Sequence, residues 1–158
     1  MRSFIEIFGQ KFDDLHARNL QILAIVAEED LYRRPRELPQ TLTLFTVGEY
    51  LLRCAAAVEQ TFGGITTRLW DDPFEWTLPE KLNSKALVGE YLDEVENTTR
   101  KGLAFLTSDE DLSKRMPAPA EIKSIFEILT GTLLRAEHFQ GRAAAIAQFF
   151  SDEKLPRL

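Results

Sequence analysis

Cysteine, histidine and basic charge are all scarce in this sequence. Cys54 is its one cysteine, and His16 and His138 are its two histidines. A lone thiol cannot form an internal disulfide, which fits a reducing compartment. The opening stretch MRSFIEIFGQKFDD becomes charged too soon for a secretory leader. No apolar run approaches the roughly 20 residues that span a bilayer. These absences together lead us to expect a cytoplasmic protein without a membrane partner. Lys and Arg total 19 against 25 Asp and Glu, for a net charge of −6. Nucleic acid is a disfavoured partner, because a phosphate-binding surface needs a basic stripe. The pairs Arg33-Arg34 and Lys114-Arg115 are short and lie near acids, as solvated loop charge does.

Catalytic patterns are equally sparse. Two histidines with no nucleophile elbow make no readable Ser/His/Asp set. Gly63-Gly64 lies within a helical pattern and lacks the context of a phosphate-cradling loop. Asp71-Asp72 and the run Asp109, Glu110, Asp111 fall at expected helix ends, where capping and the helix dipole explain them. No internal repeat, low-complexity tract or strand pattern is visible.

Apolar residues at helical spacing are plentiful. The chain is 44% hydrophobic and 28% charged, with 11 Phe, which is the composition of a globular domain with a real core. Phe8, Phe12, Leu15, Ile22 and Val26 form a first stripe behind Ser3-Phe4-Ile5-Glu6, which has the form of a capping box. The segment is expected to end near Glu28–Asp30, before Pro35 and Pro39. Thr46-Val47-Gly48-Glu49 is a second capping box. It opens a stripe of Val47, Leu51, Cys54, Val58, Phe62, Ile65 and Leu69, which Gly63-Gly64 is expected to loosen or kink.

The connection WDDPFEWTLPEKLN carries two prolines and both tryptophans, so it is expected to pack across the bundle. Ser84 caps a third helix with Leu87, Val88, Tyr91, Leu92, Val95, Gly102, Leu103 and Leu106 inward, and Ser108–Asp111 suggests a short extra turn. Ser124-Ile125-Phe126-Glu127 caps a last helix reaching Phe150, with a lead-in turn from Ala120. Residues 1–158 therefore read as a single all-α domain, a four-helix bundle with long connections after the first and second helices. Those connections argue against simple up-down-up-down wiring. Sites in such bundles sit on inward side chains of facing helices.

Three stretches carry a resemblance. Thr46-Val47-Gly48-Glu49-Tyr50-Leu51-Leu52-Arg53, Arg135-Ala136-Glu137-His138-Phe139-Gln140-Gly141-Arg142 and EEDLYRRP stand in the order found in the DinB/YfiT-like superfamily. The first resembles that family's second-helix start, where a histidine follows the Leu-rich turn. The second is similar to its last-helix motif His-x-x-His-His-Arg-Gly-Gln, and the third to its turn before the first loop. The resemblance covers essentially the whole chain in helix number and order. It implies an up-down-down-up bundle, often a homodimer. Many members hold zinc or nickel through three histidines, and some are transferases or isomerases that use low-molecular-weight thiols.

This chain departs from the pattern at the ligands. The family's three histidine positions fall on Arg53, Arg135 and Phe139, while His138 matches the middle histidine, which is not usually a ligand. Metals take imidazole, thiolate or carboxylate donors, whereas guanidinium donates hydrogen bonds only and is always cationic. No metal cofactor is therefore expected at the family position. His138 and Glu137 are adjacent and point about 100° apart on a helix, a poor chelating pair. His138 reads as a polar edge residue, His16 as a partly buried hydrogen-bonded one, and Cys54 as an inert core thiol.

If Arg53 and Arg135 point inward, each needs a partner. One solution is internal pairing with Glu49, Glu59 or Glu137. The other is a small external anion, carboxylate or phosphate. The expected site is thus a polar pocket of Arg53, Arg135, His138, Glu137 and Glu59 in a metal-free ligand-binding or interaction bundle. The alternatives are a zinc- or nickel- and thiol-dependent transferase or hydrolase with ligands from His138, Glu137 and Glu59, and a purely structural bundle.

Overall fold

The computed structural model describes residues 2–35, 44–73 and 76–155. Four long helices dominate: α1 (Phe4–Ile25), α2 (Val47–Thr67), α3 (Lys85–Leu103) and α4 (Ile125–Ala147). Each begins where the sequence supplies a cap. Ser3 with Glu6, Thr46 with Glu49, and Ser124 with Glu127 form complete capping boxes, and the Ser84 hydroxyl accepts from the Leu87 N–H. These exchanges satisfy backbone donors that the first helical turn leaves unpaired.

The expected stripes are the core. Phe8, Phe12, Leu15, Ile22 and Val26 are buried, as are Val47, Leu51, Cys54, Val58, Phe62 and Ile65, and Val88, Tyr91, Leu92 and Val95. Two outer members differ. Leu69 lies beyond the end of α2 and is 60% exposed, and Leu87 sits in the first turn of α3 at 37%. α2 packs against α3 and α4, and α1 also packs against α3 and α4, while α1 and α2 touch little. Successive helices α1 and α2 therefore lie across the bundle from each other, which the long segment between them permits. Pro39, the second proline expected to stop the first helix, lies outside the described residues. No described helix is long and apolar enough to cross a membrane.

Three local expectations need correction. α2 runs unbroken through Gly63 and Gly64. Gly64 is required there for another reason: a Cβ on it would lie 2.4 Å from the Trp70 ring, which packs flat against the backbone. Trp70 also donates its indole N–H to the Pro117 carbonyl at 3.1 Å, so half of the connection does pack across the bundle, while Trp76 is 44% exposed. The stretch before α4 is no helical lead-in. Arg115–Pro117 (β1) and Ile122–Ser124 (β2) form an antiparallel hairpin with Met116 opposite Lys123. Strands this short give no readable alternation, so sequence periodicity cannot reveal them.

Candidate functional site

A cleft of about 790 Å³ opens between α2, α4 and the connection to α3. Helical spacing brings Glu49, Arg53, Ala56 and Gln60 of α2 onto one face, since these positions step by fours and a three. Phe45 enters from the residues before α2, Arg135 and Phe139 from one face of α4, and Asp72, Leu78, Pro79 and Glu80 from the connection. Arg53, Arg135 and Phe139, the positions that the DinB/YfiT-like resemblance would align with histidines, thus line a single cleft. Arg135 and Gln60 also border an adjoining cleft of about 230 Å³.

The two guanidiniums are held differently. Arg53 is half-buried and stacks on the Phe45 ring, 3.9 Å from its centroid. Stacking uses the guanidinium face and leaves its N–H edge available for planar hydrogen bonds. Arg135 is exposed and donates to the Gln60 side-chain oxygen at 3.3 Å. Among the described residues neither forms an ion pair with a carboxylate. Tyr50 meets Phe45 edge-on at 5.5 Å and lies 6.5 Å from Phe139, so aromatic rings back the cleft.

The favoured internal pairing does not form. Glu49 turns to its own helix start, where one oxygen accepts from the Thr46 N–H at 2.8 Å and hydroxyl at 2.9 Å. Glu59 faces α3 and accepts from the Tyr91 hydroxyl at 2.6 Å. Burial, then the Glu59 carboxylate, raises the Tyr91 phenol far above its ordinary range, so it remains a donor. Glu137 points toward α1 and pairs with Arg18 at 3.1 Å. His138 is exposed, and its Nε2 accepts from Arg142 Nε at 2.9 Å. Arg142 in turn donates to the Tyr50 hydroxyl at 3.3 Å. Of the five expected pocket residues, the structure brings Arg53 and Arg135 together at the cleft. His138, Glu137 and Glu59 lie outside it and turn to different partners, Arg142, Arg18 and Tyr91, so they do not assemble as one ligand set.

A second polar region lies inside the bundle. Gln140 is almost wholly buried, and its amide donates to the Leu15 carbonyl and to the Asn19 side-chain oxygen, both at 2.7 Å. Asn19 then donates to Cys54 Sγ at 3.3 Å. Burial pushes the Cys54 thiol up to about 12, outweighing the Asn19 hydrogen bond that lowers it. That matches the inert thiol read from the sequence. Nearby, Arg18 Nε is the one buried side-chain nitrogen or oxygen without a hydrogen-bond partner among the described residues.

His16 is partly buried, as expected, and its partners are two carboxylates of α3. Its Nε2 lies 3.1 Å from Asp93 and 3.2 Å from Glu96. Among the described residues this is the one cluster of three side chains spaced to share a metal ion.

Sequence reasoning missed Phe45 and Gln60, although the four- and three-residue steps from Glu49 could have located Gln60. Asp72, Leu78, Pro79 and Glu80 had no such signal, because only the fold brings the connection to α2. Compared with models of known protein families and with curated proteins, the chain matches none.

Proposed function

We propose that this chain is a DinB-like, up-down-down-up bundle whose metal position has become a binding site for a small organic anion. The observation that carries the reading is the pair Arg53 and Arg135, lining one roomy cleft without an ion-pair partner among the described residues. That Phe139 joins them supports the family likeness, since all three family ligand positions then face the same space. The donor set does not fit a divalent metal there. Two guanidiniums would repel a dication, and a phenyl ring offers no lone pair.

The cleft's remaining walls narrow the ligand class. Glu49, Asp72 and Glu80 also line it, so its charge is mixed. Such a site disfavours a multiply charged phosphate, which the acids would repel, and favours a single carboxylate held by the guanidinium edges. Phe45, Leu52, Leu78 and Phe139 provide apolar surface for the rest of the molecule. The ligand class is therefore a monocarboxylate with an apolar or aromatic body.

Calorimetric titration with benzoate, phenylacetate and inorganic phosphate tests this. The expected result is saturable one-site binding of an aromatic carboxylate, weak or absent phosphate binding, and loss of binding in Arg53→Ala and Arg135→Ala. Carboxylate binding that survives both substitutions would sink the proposal, as would no saturable binding of any carboxylate.

A further inference from the structure

We propose that His16, Asp93 and Glu96 form a zinc-binding site that ties α1 to α3, separate from the anion cleft. The three side chains supply one imidazole nitrogen and two carboxylate oxygens, which is a donor set that zinc accepts. Their spacing fits a shared ion. Ligand atoms 2.0–2.2 Å from a tetrahedral zinc lie about 3.4 Å from one another. His16 Nε2 is 3.1 Å from the Asp93 oxygen and 3.2 Å from the Glu96 oxygen, and all three atoms lie within 4.8 Å of one another, a separation that one ion can bridge.

Local structure holds the set in place. Asp93 and Glu96 are three apart on α3 and therefore share a face. Glu96 uses one oxygen toward His16, while its other accepts from Arg100 at 2.7 Å, an outer contact that orients the carboxylate. Arg100 also lies 3.8 Å from Asp13 on α1. The local charges are thus Asp13, Asp93 and Glu96 against Arg100, an acidic excess that a dication would neutralise.

A small space adjoins two of the three side chains. A void of about 20 Å³ lies beside His16 and Glu96, with Asn19 and Thr99 also on its wall. One water needs roughly 10–15 Å³ of such space and several polar partners. The void has room for one water beside His16 and Glu96, while Asp93 lies off its wall and apolar side chains make up most of the rest. The site lies on α1 and α3, and the void beside it borders a different face of α2 from the cleft: Ala55 and Val58 line the void, whereas Arg53, Ala56 and Gln60 line the cleft. The inference does not rest on the anion reading.

Calorimetric titration of the 158-residue chain with zinc chloride, in a non-chelating buffer and without a histidine tag, tests it. One equivalent is expected to bind. Asp93→Asn, at a ligand with a largely exposed side chain, should weaken binding about tenfold or more while leaving the metal-free melting temperature unchanged. His16→Gln should weaken it at least as much, and if that variant fails to fold, Asp93→Asn decides alone. His138→Ala and Arg53→Ala should bind zinc like the parent. No zinc uptake by the parent overturns the proposal, as does undiminished binding by Asp93→Asn, or loss of binding in His138→Ala instead.

Discussion

The interior seam and the cleft both place polar groups against α2, and they differ in saturation. In the seam, Gln140, Asn19 and Cys54 are buried and hydrogen-bond to one another and to the Leu15 carbonyl. In the cleft, Arg53 leans on a ring and Arg135 on an amide, so among the described residues the hydrogen-bonding capacity of two cations is largely unspent. The seam has the character of structural polarity, which fixes how α1, α2 and α4 meet. The cleft has the character of a site, because its groups gain most from a ligand. Buried polar groups are costly when unpaired and specific when paired, and the two regions take opposite solutions to that constraint.

Removing the seam's central side chain should have the largest effect. Gln140→Ala deletes two hydrogen bonds, leaves the Asn19 amide oxygen without its buried donor and the Leu15 carbonyl with its helical N–H alone, and opens a cavity in the core. A loss of about 2–4 kcal/mol is expected by urea denaturation. A stable Gln140→Ala protein would erase the distinction between seam and cleft.

Gly64→Ala should follow. Its Cβ would overlap the Trp70 ring, which borders the smaller cleft, and moving that ring should cost about 1–3 kcal/mol. The same variant should alter tryptophan fluorescence.

Chemical reactivity sharpens the contrast without touching stability. Cys54 is fully buried, and burial holds its thiol protonated, pushed up to about 12. At pH 8 a thiol reagent should therefore leave the folded protein unmodified, with labelling appearing only as urea unfolds it. Rapid labelling in native buffer would mean the seam opens to solvent.

Arg53→Ala should have the smallest effect on stability, below about 0.5 kcal/mol, as for a half-buried group without an ion pair among the described residues. It should nonetheless remove carboxylate binding. A large destabilisation would make Arg53 a structural cation, on the seam's side of the comparison.

The sequence disclosed the two regions unequally. Helix starts were legible because Ser3, Thr46 and Ser124 each precede a Glu at the third position, a purely local signal. The inward stripes were legible because burial repeats at helical spacing. Arg53 and Arg135 emerged from the DinB/YfiT-like resemblance, and both line one cleft. Their partners did not emerge. Glu59 and Glu137 look available in a linear reading, yet Tyr91 and Arg18 claim them from other helices. The hairpin at Arg115–Ser124 was too short to announce itself, and the bond from Gln140 to Asn19 spans 121 positions. Helical periodicity fixes which way a residue points and leaves open which residue of another helix it meets.

The most direct test of the central claim is a two-dimensional ¹H–¹⁵N spectrum of the arginine Nε–H groups, recorded while benzoate is titrated in. The Arg53 and Arg135 signals are expected to shift together along one saturable curve, with Arg18 unmoved because its Nε is buried away from the cleft. Arg53 and Arg135 signals that stay in place as benzoate is added, or that move no more than those of arginines far from the cleft, would contradict the account.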